Sequence, residues 1–309
     1  MNALPPRARV NVYDAIDANR RRTVVLVAGF VAVIAALAWV FGELLEPGAG
    51  LALLPFGLLL AGGTSAASYF AGDRMILGVS QARELGPDDE VGLWNVVEAL
   101  SIGAGLPKPR LYVIEDSAPN AFATGRDPKH ASVAVTRGLL DKLDRTELEA
   151  VMAHELSHVQ NRDIRVLLLA TALAGTLVLF SDMLLRSMRF GAVRRGGDRR
   201  RGGGGGVLIL VAILLAILAP IAARVIRLAI SREREFLADA SAALLTRYPP
   251  ALASALRKIS ADREPLEVAN KATEALYFAN PLKDRPRFLD RLFETHPPVE
   301  ERIRRLEAM

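Results

Sequence analysis

The chain alternates between stretches that carry no charge and stretches patterned like soluble protein. Thr23 to Gly42 is twenty residues long and uncharged, enough for a helix to cross the ~30 Å hydrocarbon core of a bilayer. Leu51 to Gly72 is a second uncharged run, with Pro55 inside it. Glu43 to Gly50 joins them through Pro47 and carries only acidic charge, so the pair reads as a transmembrane hairpin. A basic start followed by an apolar run also opens a signal peptide, but this run is too long and a second follows at once. Arg7, Arg9, Arg20, Arg21 and Arg22 precede the hairpin, and its turn holds no Lys or Arg. Positive charge stays on the cytoplasmic side, which sets residues 1–22 there and returns the chain to the same side at Arg74.

Two further apolar runs, Val166 to Ser181 and Val207 to Ala223, are sixteen and seventeen residues long, near the short limit for spanning. Between them, Arg186 to Gly206 carries seven arginines and the five-glycine run Gly202 to Gly206, the composition of a flexible linker. If both runs cross, these arginines end up outside, against the positive-inside tendency. If neither crosses, the loop stays in the cytoplasm and can bind anionic lipid. Two crossings are expected. Met183, Leu184 and Leu185 lengthen one run, and Val225 and Ile226 the other. Arg186 and Arg224 can snorkel, and orientation is usually dominated by the first helices.

The remaining sequence is soluble in pattern. Asp88 to Ala104 has helical spacing of Val91, Leu93, Trp94, Val97 and Leu100. Arg110 to Ile114 alternates as a strand. Ala121 to Gly125 and Ala131 to Val135 read as paired strands around a turn at Arg126 to His130, with His130 exposed. Asp144 to Asp163 contains no Gly or Pro and reads as one helix, with Asp144 as N-cap and Glu147 completing a capping box. Ala251 to Ile259 and Val268 to Phe278 read as helices, and a last one is opened by proline after Thr295 or His296. The fold class that follows is mostly α with a small β-sheet (α+β). The basic segment 1–22 and the hairpin 23–72 precede a domain built from 73–163 and 224–309, interrupted by 164–223.

Composition narrows the chemistry. The 309 residues include no cysteine, which excludes disulfides and thiolate metal sites. The net charge of +5 is carried largely by arginine. It suits anionic lipid headgroups, since no nucleic-acid motif accompanies it.

The chain has four histidines, His130, His154, His158 and His296. Two of them fall in His154-Glu155-Leu156-Ser157-His158, inside the capped helix. A spacing of four stacks both imidazoles on one helical face, where they can grip one tetrahedral zinc. Glu155 is then placed as general base for a water beside the metal. A third protein ligand is needed. Asp163 sits at the end of the same helix and Asp182 at the edge of an apolar run, both poorly placed. Ser231 to Asp239 offers better: Glu235 and Asp239 share a helical face, so one carboxylate can bind metal while the other accepts a hydrogen bond from a ligand histidine. Glu233 lacks such a partner, because Leu237 stands four residues on.

His-Glu-Leu-Ser-His-Val-Gln-Asn-Arg-Asp, two apolar segments, and then Glu-Phe-Leu-Ala-Asp together resemble the HtpX-like membrane zinc metallopeptidases, relatives of the CAAX prenyl proteases. The likeness runs from about Asn120 to the C-terminus. It implies one Zn²⁺ held by His154, His158 and Glu235, with Glu155 catalytic and Asp239 behind a ligand. It also implies that the strand at Asn120, Ala121, Phe122 and Ala123 pairs with an extended substrate, the alternative being an ordinary sheet edge. His296, in Thr-His-Pro-Pro, is implied near the cleft as a stabiliser of the oxyanion, or is a structural loop residue. The implied activity is endopeptidase cleavage of damaged membrane proteins, from the cytoplasmic side of the cell (inner) membrane. Two other readings stay open: a prenyl-protein endopeptidase, and a non-catalytic zinc-binding stress sensor. The first is disfavoured by the small number of membrane segments. The second is disfavoured because no fourth protein ligand is evident to close the site.

Overall fold

The computed structural model describes residues 12–177, 232–269, 273–282 and 297–309. The Arg/Gly-rich loop 186–206, the fourth apolar run, Asp182 and His296 lie outside the described residues.

Helices α1 (Val12–Leu45) and α2 (Gly50–Val79) form the hairpin, and each extends past the uncharged run that marked it in the sequence. Both are long and apolar enough to cross a membrane. Val24, Leu51, Phe56 and Leu59 point outward and are mostly exposed, an apolar surface suited to lipid. The helices approach closely where a Cβ on Gly57 would lie 2.5 Å from Ala38 Cβ, the kind of contact that small residues permit between membrane helices. Residues 163–177 are helical (α6, as far as it is described) and pack against this pair. Leu169, Leu173 and Leu177 share a buried cluster with Leu26, Phe30 and Ala61.

Beyond the hairpin come β1 (Arg83–Glu84), α3 (Val91–Ala104), β2 (Arg110–Ile114), β3 (Ala121–Gly125) and β4 (Ala131–Thr136). Helix α3 stops at Gly105, whose positive φ lets its own and the next backbone N–H return to the last carbonyls. The four strands lie in the order β1-β2-β4-β3. β3 and β4 pair antiparallel as the sequence suggests, with Ala121 opposite Val135. β2 pairs parallel to β4, and β1 is antiparallel to β2. β3 is therefore an edge strand among the described residues.

Helices α4 (Arg137–Lys142) and α5 (Arg145–Gln160) follow, then α7 (Arg232–Thr246), α8 (Pro249–Ala261) and α9 (Val299–Glu307). α5 is the centre of the domain. It packs against α3, α7, α8 and β3, and twelve of its sixteen residues are buried. Its capping box is present: Glu147 N–H donates to Asp144 Oδ1, and Asp144 N–H donates to Glu147 Oε2, both at 2.9 Å. Glu147 also accepts from Ser254 Oγ at 2.7 Å and Lys258 Nζ at 2.6 Å, so the cap fastens α8 to the start of α5.

Two expectations are corrected. The stretch 144–163 is not one helix: α5 ends at Gln160, Arg162 takes φ +59°, and a new helix starts at residue 163. The described part of Val268–Phe278 is not α-helical, holding only a 3₁₀ turn at Glu274–Leu276. Its apolar residues Leu276 and Tyr277 instead pack as a connecting segment against Ile76, Leu77 and Phe122.

Glu147→Ala is expected to lower unfolding stability by about 2 kcal/mol, because it removes half of the cap and leaves Ser254 and Lys258 without their partner. Thermal unfolding of the detergent-solubilised variant beside Glu149→Ala, a change on the same helix outside the cap, checks this.

Candidate metal centre

The i, i+4 spacing on α5 brings the two imidazoles together as the sequence requires: His154 Nε2 and His158 Nε2 are 3.1 Å apart. α7 lies across α5 and delivers Glu235, with Oε2 3.8 Å from His154 Nε2 and Oε1 3.6 Å from His158 Nε2. One donor atom from each of these three residues lies within 4.8 Å of the others, a spacing able to hold a metal ion. Glu233, two residues earlier, is exposed on α7.

Each histidine is oriented from behind. His154 Nδ1 lies 3.0 Å from Asp239 Oδ1, and His158 Nδ1 lies 3.0 Å from Asp163 Oδ2. A carboxylate on the far nitrogen fixes the tautomer and turns the Nε2 lone pair toward the metal position. Asp239 stands where the sequence placed it. Asp163 is the surprise, because the turn at Asn161–Arg162 folds it back beneath His158 instead of carrying it onward along α5.

Two guanidiniums hold these carboxylates. Arg302 on α9 is 1% exposed and grips Asp239 through Nε at 2.9 Å and Nη2 at 2.7 Å. Its Nη1 donates to the Phe278 carbonyl at 3.2 Å and lies 3.7 Å from Glu235 Oε2. Arg234, also buried, places Nη1 3.3 Å from Asp163 Oδ1. Neither arginine was singled out from the sequence. Arg302 follows His296 by six residues, in a terminal helix whose pattern gave no sign that this position faces inward.

Glu155 is 2% exposed beside the two imidazoles. Burial pushes its carboxyl up to about 7, against a backbone hydrogen bond from Ala123 that favours the charged form. That value suits a group that takes and returns protons near neutrality. Ala123, Leu167, Leu276, Tyr277 and Phe278 close the cavity around these side chains. Leu167 belongs to α6, so the cavity touches the third apolar run. The break after Gln160 brings that run against the site, where an unbroken helix would have held the two well apart.

The strand at Asn120 to Ala123 borders the site through Ala123. The Asn120 side chain is buried and clamps Ala279, donating to its carbonyl at 2.9 Å and accepting from its N–H at 3.2 Å. The Ala121 carbonyl accepts from Phe278 N–H at 2.8 Å. Phe122 is fully buried and packs edge-on against Tyr277. His130 pairs with Asp127 in an exposed turn and is not among the residues that line the cavity.

Charge is the test of whether these residues fit a metal. Glu155, Glu235, Asp163 and Asp239 are buried here with two buried guanidiniums, Arg234 and Arg302. With both imidazoles neutral, Glu235, Asp163, Asp239 and, when it is ionised, Glu155 stand against two guanidiniums, which leaves one to two negative charges for a divalent cation to cancel. Without metal the imidazole pair holds one proton. Burial pushes His154 down to about 4. Burial also opposes charge on His158, but the Asp163 hydrogen bond and the nearby carboxylates outweigh it and raise this histidine to about 9. A metal held by these residues would take the place of that proton.

The sequence pattern of "Peptidase family M48" matches residues 87–309. The chain is similar to "Protease HtpX homolog" of Tropheryma whipplei (strain Twist), with 46% identity over 299 residues, covering 96% of this chain and 98% of that protein. The protein of the same name from Dictyoglomus thermophilum is 44% identical over 297 residues, covering 96% and 94%. That of Listeria monocytogenes serotype 4b is 41% identical over 314 residues, covering 96% and 100%. Among solved structures, the crystal structure of S. mikatae Ste24p aligns with a TM-score of 0.48 at 18% identity, covering 96% of this chain and 67% of that one. The site and the relatives define a protease, and its two apolar helices, long enough to cross a bilayer, are those of a membrane protease. The chain belongs to peptidase family M48.

Two predictions follow from the geometry. Glu235→Ala is expected to strip the metal and Glu233→Ala to leave it, while Asp239→Asn and Asp163→Asn weaken binding ~10–100-fold. Metal analysis of the purified variants decides, and loss on Glu233→Ala alone contradicts the assignment. Because His158 is protonated below about 9 in the metal-free protein, metal binding at pH 7 releases about one proton, and affinity rises with pH toward 9. Calorimetric titrations in buffers of different ionisation enthalpy count that proton, and a count of zero contradicts the account.

Proposed function

We propose that this chain is a zinc-dependent endopeptidase that cuts membrane proteins, damaged ones among them, close to the bilayer. The observation that carries this reading is the placement of Glu155, buried beside His154, His158 and Glu235 with its carboxyl pushed up to about 7. Bound by these three ligands, zinc supplies Lewis acidity to the scissile carbonyl and the attacking water. Glu155 takes the proton of that water and passes it to the leaving amine. Asp239 and Asp163 keep the two imidazoles facing inward through the cycle.

Support for a substrate close to the membrane is the contact of Leu167, on the third apolar run, with the cavity. The charge pattern around the N-terminal hairpin favours an active site on the cytoplasmic side, in the cell's inner membrane. An extended substrate would add to the edge of β3. Pairing at Ala121 requires Phe278 to release that carbonyl, so the segment 277–279 moves aside or the substrate engages from Ala123 onward. His296 remains a proposed helper at the oxyanion, on the strength of the family resemblance.

Glu155→Gln is expected to keep one zinc per chain and to lose at least ~10²-fold of its proteolytic rate, since the amide cannot accept the proton. Cleavage of casein and of a detergent-solubilised membrane substrate, measured beside zinc content, tests this. Cleavage at the wild-type rate by the zinc-loaded variant would remove Glu155 from the chemistry.

A further inference from the structure

A buried asparagine on the first membrane helix reaches the metal centre. Asn19 lies on α1 one turn before the uncharged run, yet is 2% exposed. Its Nδ2 donates to Asp163 Oδ1 at 2.7 Å and to the Asn161 carbonyl at 3.0 Å. Its Oδ1 lies 3.4 Å from Arg234 Nη1 and 3.5 Å from Arg22 Nη1. Asp163 is the carboxylate that orients His158, and Arg234 is the neighbour in sequence of Glu235. One amide thus ties together α1, the turn that ends α5, the start of α6, and α7.

We propose that Asn19 is a positioning residue for the metal centre: it holds Asp163 against His158, so that the site reaches full metal affinity only when the first membrane helix is seated. The proposal rests on the reading of His154, His158 and Glu235 as metal ligands. The chemistry suits an amide. Asp163 is 1% exposed and has oxygens to satisfy. His158 takes one of them, while the other faces Asn19 and Arg234 together. An amide can donate to the carboxylate and to a carbonyl while accepting from an arginine, and no aliphatic side chain does any of these. A carboxylate at position 19 would instead repel Asp163. Removing the amide leaves Asp163 with the buried Arg234 and His158 alone. It also unfastens the turn at Asn161, whose geometry aims Asp163 at the histidine. Such supports behind a ligand tune affinity rather than create it. Through this contact, the seating of a membrane helix becomes a condition for a well-formed protease site, which would keep the enzyme weak before its hairpin is inserted.

The experiment uses the full-length protein in detergent, with zinc affinity measured by competition against a chromophoric chelator and ligand geometry by the visible spectrum of bound Co²⁺. Asn19→Ala is expected to weaken zinc binding about tenfold and to change the Co²⁺ spectrum. Asn19→Asp is expected to weaken it further, and Asn19→Gln, which keeps the donor, to fall closer to wild type. Leu111→Ala trims the core beside the sheet, away from α1 and the node; it is expected to lower the thermal midpoint while leaving zinc affinity within about twofold. If Asn19→Ala does not purify folded, the Asp and Gln variants decide between them, because equal affinities would refute the role given to the amide. Wild-type affinity in Asn19→Ala, or an equal loss in Leu111→Ala, overturns this proposal and leaves the ligand set standing. A wild-type protein that binds no stoichiometric zinc overturns the ligand set and this proposal with it.

Discussion

The burial of four carboxylates around two imidazoles is the constraint from which the rest of the structure follows. Charges taken out of water are tolerated only when paired and hydrogen-bonded. The fold brings the partners from distant parts of the chain: Arg302 from the terminal helix, Arg234 from α7, Asn19 from the first membrane helix. These contacts span 63, 71 and 144 residues in sequence. A site built this way cannot be assembled locally. It needs α5 buried at the centre, α7 and α9 closed over it, and the chain redirected after Gln160 so that Asp163 meets His158. The residual negative charge then makes a divalent cation the natural occupant, and the same low-polarity surroundings hold Glu155 near neutrality as an acid.

The local half of this site could be read from the sequence, and the long-range half could not. His154 and His158 are legible because a helix converts a spacing of four into adjacency, and Asp144 with Glu147 announces the helix that does so. Glu235 separates from Glu233 by the same rule, through Asp239 one turn on. The order of strands is only half legible: the β3–β4 hairpin follows from its turn, whereas the parallel pairing of β2 with β4 leaves no mark in either strand. Asp163 was passed over because an unbroken helix would carry it off the site. The positive φ that redirects it falls on Arg162, a residue with no special liking for that conformation. Arg302 and Asn19 each look like ordinary polar residues near a chain terminus. Only the tertiary contacts reveal that both are buried.

The hairpin and the soluble domain are joined mechanically as well as covalently. α6 packs its apolar face on Leu26 and Phe30 while its first residue supports His158 and its fifth, Leu167, lines the cavity. One structural element, α6, therefore touches both the hairpin and the cavity. A substrate emerging from the bilayer beside α6 would meet the cavity without travelling, which is the physical basis for reading the enzyme as one that acts on membrane proteins. The segment 276–279, held by Asn120 and resting on the edge of β3, occupies the approach along the sheet. Its backbone contacts have to be exchanged for those of a substrate if the strand is to bind one.

The central claim is that two imidazoles and a carboxylate hold a single zinc, and X-ray absorption at the zinc edge of the purified full-length protein tests it most directly. The account predicts one zinc per chain with a first shell of nitrogen and oxygen at about 2.0–2.2 Å and the outer-shell scattering of two imidazole rings, which disappears to one ring in His158→Ala. A shell without imidazole scattering, or an unchanged spectrum in His158→Ala, would contradict it.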